Sequence, residues 1–165
     1  MQIKNRLFFR KSSPVLLAAC CALFCFGSAR AQSGDPLQVC LLYANQGDFQ
    51  NAIRACQQAV HLNPYSAKAY TNLGVAYIQV GKNNKALDAI RRGAWLAPHD
   101  PMAQYNLAVI YSLMNQNDLS LEALDRALRN GFNNADALRF DRDLDNVRGE
   151  PEFRTVLERH KFFIQ

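Results

Sequence analysis

Across residues 67–80, apolar side chains recur at Tyr70, Leu73, Ala76, Tyr77 and Val80, in steps of three and four. That spacing covers one face of a helix. Gly81 follows, and glycine takes up the positive φ that ends a helix at little cost. A second run, Ala86, Leu87, Ile90, Ala94 and Ala97, predicts another amphipathic helix, closed by Pro98. Asp35-Pro36 and Asp100-Pro101 predict two further helix starts, each with an aspartate as N-cap and a proline in the first turn.

The pattern repeats. Tyr43, Tyr77 and Tyr111 stand 34 residues apart, and Pro64 and Pro98 keep the same interval. So do Gly47, Gly81 and Asn115; Ala52, Ala86 and Ser120; and Ala59, Gly93 and Ala127. Leu73-Gly74 recurs as Leu107-Ala108, and Asn72 as Asn106. Several residue classes sharing one period are the mark of a repeat architecture.

The stretch AYTNLGVAYIQVGKNNKALDAIRRGAWLAP, residues 69–98, resembles a tetratricopeptide repeat nearly throughout. A first copy spans about 33–66, a second about 67–100 and a third about 101–134. The resemblance implies an all-α fold, a short right-handed superhelical solenoid of antiparallel helix pairs. Gly74 and Gly93 fall mid-helix, where glycine costs about 1 kcal/mol relative to alanine. Close helix–helix approach, which the repeat family implies, accounts for them. The third copy departs from the pattern: Asn115, Ser120 and Phe132 replace the expected glycine, alanine and proline. Residues 135–165 are expected to form a capping segment. RFDRDLDNVRGEPEFRTVLE, residues 139–158, resembles the ending of many bacterial arrays of this family, a short helix, an aspartate-rich turn and a final helix. Such caps are needed because an unfinished array exposes its apolar face. Phe140, Leu144, Val147, Phe153, Val156 and Leu157 are the expected buried side of the cap. Phe162, Phe163 and Ile164 form an apolar tail that docks back or binds elsewhere.

Residues 1–31 read as a targeting leader. Lys4, Arg6, Arg10 and Lys11 precede an apolar run at residues 15–26, and Ala29 and Ala31 fit signal-peptidase cleavage before Gln32. The run is about a dozen residues against the roughly 20 of a spanning helix, so no permanent membrane span is expected. Periplasmic or secreted location follows. The alternative is an outer-membrane lipoprotein through Cys20, because Leu17-Ala18-Ala19-Cys20 resembles a lipobox; its cut would leave a very short apolar core ahead of it.

Setting the leader aside changes the charge argument. The whole chain has 19 Lys+Arg against 14 Asp+Glu, but Lys4, Arg6, Arg10, Lys11 and Arg30 all lie in the leader. The remainder is formally neutral, and no basic stripe is left for phosphate neutralisation. Nucleic acid is not an expected partner. Cys20, Cys21 and Cys25 leave with the leader, whereas Cys40 and Cys56 stay. Cys40 takes the repeat slot of Gly74 and Ala108, and Cys56 that of Ile90 and Leu124. Those slots come level in an antiparallel pair, so a Cys40–Cys56 disulfide is expected in an exported chain; two small buried thiols are the other reading.

Catalytic and metal constellations are weak. Asp141, Asp143 and Asp145 with Glu152 resemble a calcium loop, yet Asn146 stands where the sharp turn needs glycine, and Pro151 intrudes. A capping turn explains the same residues. His61, His99 and His160 are scattered, and no G-x-S-x-G, H-E-x-x-H or phosphate-cradling loop is present. No enzyme, cofactor or metal is expected. The resemblance implies a partner-binding concave face built from the first helix of each repeat. Its expected residues are Leu37, Leu41, Lys68, Thr71, Val75, Ile78, Gln79, Tyr105, Val109, Ser112 and Leu113. The family's lysine–asparagine clamp for terminal carboxylates is missing. A largely apolar groove suits an amphipathic helix or an extended apolar peptide. Cover by a helix of the same chain, or by a second copy, is the other reading. The expected function is a non-enzymatic interaction module, with a lipid-anchored assembly factor of an envelope secretion or pilus system as the alternative.

Overall fold

The computed structural model describes residues 34–162. The leader, Cys20 and the tail residues Phe163 and Ile164 lie outside them. Six helices form three hairpins: α1 (Pro36–Asn45) with α2 (Phe49–Leu62), α3 (Ala67–Gln79) with α4 (Asn83–Leu96), and α5 (Pro101–Leu113) with α6 (Asn117–Arg129). Each pair packs together, and each second helix packs on the first helix of the next pair. Among the described residues this is the helical solenoid that the family resemblance implies.

Local chemistry sets the helix boundaries. The carboxylates of Asp35 and Asp100 accept hydrogen bonds from the N–H groups of Leu37 (3.1 Å) and Met102 (2.9 Å), which otherwise have no intrahelical partner. Ser66 Oγ accepts from Ala69 N at 3.2 Å. The turns inside the hairpins use positive φ at Gly47 (74°), Gly81 (70°) and Asn115 (56°), the three residues of one repeat slot. Asparagine tolerates that region better than most side chains, which explains how the third copy dispenses with glycine.

Between paired helices the packing is tight. A Cβ on Gly74 would lie 2.2 Å from Ile90 Cγ1, and one on Gly93 would lie 2.5 Å from Thr71 Oγ1. Both glycines are therefore required by close approach. In the first pair a Cys40–Cys56 disulfide joins α1 to α2, with the Cα atoms 5.1 Å apart. In the third pair Ser120 replaces the usual alanine without loss, because its buried hydroxyl donates to Ala108 O at 2.7 Å.

A fourth copy begins and fails. Asn134 caps α7 (Ala135–Phe140) from the position of Ser66 and Asp100 in the period, but α7 stops after 6 residues. Asp141 Oδ1 accepts from Asp143 N at 3.0 Å, a local bond that competes with continued helix. A 3-10 turn (Arg142–Leu144), α8 (Asp145–Arg148) and α9 (Pro151–Arg159) follow. Leu144, Val147, Phe153, Val156 and Leu157 are buried as expected. Phe140 is not: it is 72% exposed at the end of the truncated α7, and Leu138 supplies the buried side chain instead. The α9 helix lies against α6, closing the array.

Candidate partner-binding groove

The first helices α1, α3 and α5 are neighbours, so residues in one repeat slot form rows across them. One row is Leu37, Thr71 and Tyr105; a second is Leu41, Val75 and Val109; a third brings Ile78 to Ser112, and a fourth Gln79 to Leu113. In the first two copies these rows stay accessible. Leu37, Leu41, Thr71, Val75 and Ile78 are half-buried, and Lys68 and Gln79 are exposed.

The third copy differs, and here the expected groove needs correcting. Tyr105, Val109 and Ser112 are buried. The Tyr105 ring stacks on Phe132, with centroids 4.2 Å apart and planes 7° off parallel. Its hydroxyl donates to Asp141 Oδ2 at 2.6 Å. Asn146 Nδ2 donates to Ser112 O at 2.8 Å, and Asn117 Nδ2 to Glu150 Oε1 at 2.6 Å. The chain's own C-terminal segment thus covers this end of the face. Leu113 stays half-buried against the core. The open groove is accordingly the part built by α1 and α3.

The aspartate-rich turn is structural. Asp141 spends one oxygen on Tyr105 and the other on the backbone, and Arg148 Nη2 donates to its carbonyl at 2.5 Å. Burial, and next the Asp141 contact, push the Tyr105 hydroxyl well above the usual phenol range. Burial likewise raises the Asp143 carboxyl, helped by Asp141 and Asp145. Among the described residues no cluster of three or more His, Cys, Asp or Glu is placed to hold a metal. His61 and His99 are exposed, one at the end of α2 and the other in the turn between α4 and α5.

Sequence reasoning missed one polar centre. Asp125 of α6 is buried, and Arg159 Nη1 approaches its Oδ1 at 2.8 Å and His160 Nε2 at 2.9 Å. Arg129, one turn along α6, pairs with Oδ2. Burial alone would raise this carboxyl, but the bonds from His160, Arg159 and Arg129 outweigh it and hold it at about 2. In the period Asp125 takes the slot of the polar, exposed Gln57 and Arg91, so the sequence carried no signal of its burial; its partners lie over thirty residues away.

Models of the tetratricopeptide repeat match residues 43–94 and 103–130. Among solved structures the chain is similar to MamA, at 25% identity and a TM-score of 0.60, over 76% of this chain and 77% of that one. It is also similar to the TPR2B domain of yeast Sti1 in complex with pHsp70, at 18% identity and a TM-score of 0.57, over 76% and 93%. A chain of the CopN–Scc3 complex matches at 19% identity and a TM-score of 0.55, and there the match spans 65% of that chain. A search of curated proteins returned no match. The chain is a tetratricopeptide-repeat protein with tandem copies, and so a protein-interaction module. No helix among the described residues is long and apolar enough to cross a membrane.

Proposed function

We propose that the open face of α1 and α3 binds an amphipathic helix or an extended apolar peptide of another protein. Leu37, Leu41, Thr71, Val75, Ile78 and the flanking Leu113 would contact its apolar side, with Lys68 and Gln79 at the rim. One observation carries the reading. The same slots in the third copy are already filled, by Phe132 and the segment from Asp141 to Asn146, so the chain itself displays the kind of group these rows accept. The yeast Sti1 domain and the CopN–Scc3 assembly, two of the similar structures, are themselves complexes with other proteins. The role is one of binding, without catalysis or cofactor. We place it in the periplasm or outside the cell, on the strength of the leader with its cleavage site after Ala31.

Photocrosslinking residues at Val75 and Ile78 should capture a discrete protein in cells, and a residue at exposed Arg54 on α2 should not. The Val75→Glu/Ile78→Glu variant should lose the adduct formed from a crosslinker at Leu41. Equal capture from all positions, or none from the groove, would sink the assignment. A mature N-terminus elsewhere than Gln32 would overturn the export reading.

A further inference from the structure

We propose that one edge of the solenoid, formed by the first two turns between repeats, docks onto an anionic phospholipid surface. The edge meets the groove only at Lys68, which stands at the rim of both. Because successive helices alternate in direction, the α2–α3 and α4–α5 turns emerge at the same end of the array. The third turn is tied to the second there, since Asn130 Nδ2 donates to Pro98 O at 3.1 Å. Leu62, Tyr65, Trp95 and Met102 all sit at these turns, and each exposes half or more of its surface. Single exposed apolar residues need no explanation, but four large ones along one edge do. The row stops at the third turn, where Phe132 is buried on Tyr105.

Charge identifies the occupant. Lys68, Arg91 and Arg92 flank the row, and Asp100, the acid within it, is engaged in capping α5. None of the three cations joins an ion pair; among the described residues every ion pair falls between residues 122 and 160. The imbalance extends through both repeats: Arg54, Lys68, Lys82, Lys85, Arg91 and Arg92 face only Asp35, Asp48 and Asp88 between residues 34 and 99. The Arg92 guanidinium lies 4.4 Å from the centre of the Trp95 ring. Tryptophan and tyrosine with aliphatic neighbours and unpaired cations match the interfacial layer of an anionic bilayer, which accepts amphipathic rings and attracts basic groups. Large apolar side chains carried on turns beside cations outside any ion pair suit insertion between lipid headgroups.

Trp95 is the single tryptophan of the chain and reports on its own edge. Its emission in the purified protein should shift to the blue with phosphatidylglycerol-containing vesicles and stay unchanged with phosphatidylcholine alone. Co-sedimentation should follow the same order. Arg91→Gln/Arg92→Gln should weaken vesicle binding about thirtyfold, given the attraction of each basic residue to such a surface. Leu62→Ser/Tyr65→Ser, at exposed positions that spare the core, should weaken it as well. The groove variant Val75→Glu/Ile78→Glu should bind vesicles as the parent does. No shift with anionic vesicles, equal binding to neutral ones, or unaltered binding by the arginine variant overturns the proposal. So does a dimer that dissociates on Trp95→Ser, which would assign the edge to a second copy of the chain.

Discussion

The slot where paired helices come closest holds Cys40 and Cys56 in the first copy, Gly74 and Ile90 in the second, and Ala108 and Leu124 in the third. All six residues are buried, and in the second and third copies a bulky residue on the second helix goes with a small one on the first. Gly74→Ala would set a methyl 2.2 Å from Ile90 Cγ1 and 3.1 Å from Ala86 O. Overpacking of about 1–3 kcal/mol exceeds the roughly 1 kcal/mol that alanine gains in helix propensity, so the substitution should destabilise. Adding Ile90→Leu, which imitates the third copy, should recover most of the loss in urea unfolding. Unchanged stability for Gly74→Ala alone would contradict the packing described here. This slot was legible in the sequence because the period aligns its occupants. Phe140 was misread against that alignment. It stands one period beyond Asn72 and Asn106, a polar slot that even a complete fourth helix leaves partly exposed.

At the level of the element, the first hairpin has a neighbour on one side only among the described helices, since α2 packs on α3 and α1 begins the array. Its two helices are joined covalently instead. In the chain-entropy model a disulfide across a 16-residue separation contributes about 3 kcal/mol. The double variant Cys40→Ala/Cys56→Ala should lose stability of that order. Faster amide exchange should be concentrated in residues 36–62, with α5 and α6 protected as before. A uniform loss of protection across all six helices would show that the bond supports the whole array instead of its first pair. The groove shows what periodicity leaves undetermined. Tyr105 shares its slot with Leu37 and Thr71, which fixes its helix face correctly. What covers that face comes from Asp141, 36 residues on, in a turn without helical periodicity. Faces are local properties of a sequence; their covering is a tertiary one.

For the whole molecule, the decisive question is how the array ends. Phe153, Val156 and Leu157 of α9 are buried against the last pair, and the polar fastening of this helix is Asp125 with Arg159 and His160. The folded carboxyl is depressed from 3.8 to about 2, so released chain takes up the proton more readily than docked chain. The fastening is therefore complete above about pH 4 and weakens as the pH falls towards 2. Asp125→Asn removes this titration while keeping the size of the side chain. The parent should lose thermal stability more steeply than the variant between pH 4 and pH 2, and the two curves should converge at the acid end. Parallel curves would mean that Asp125 does not hold α9. Because the end of a solenoid must be covered, release of α9 bares the apolar side of α6. The same acid range should then bring self-association in the parent, and Asp125→Asn should associate already near neutral pH.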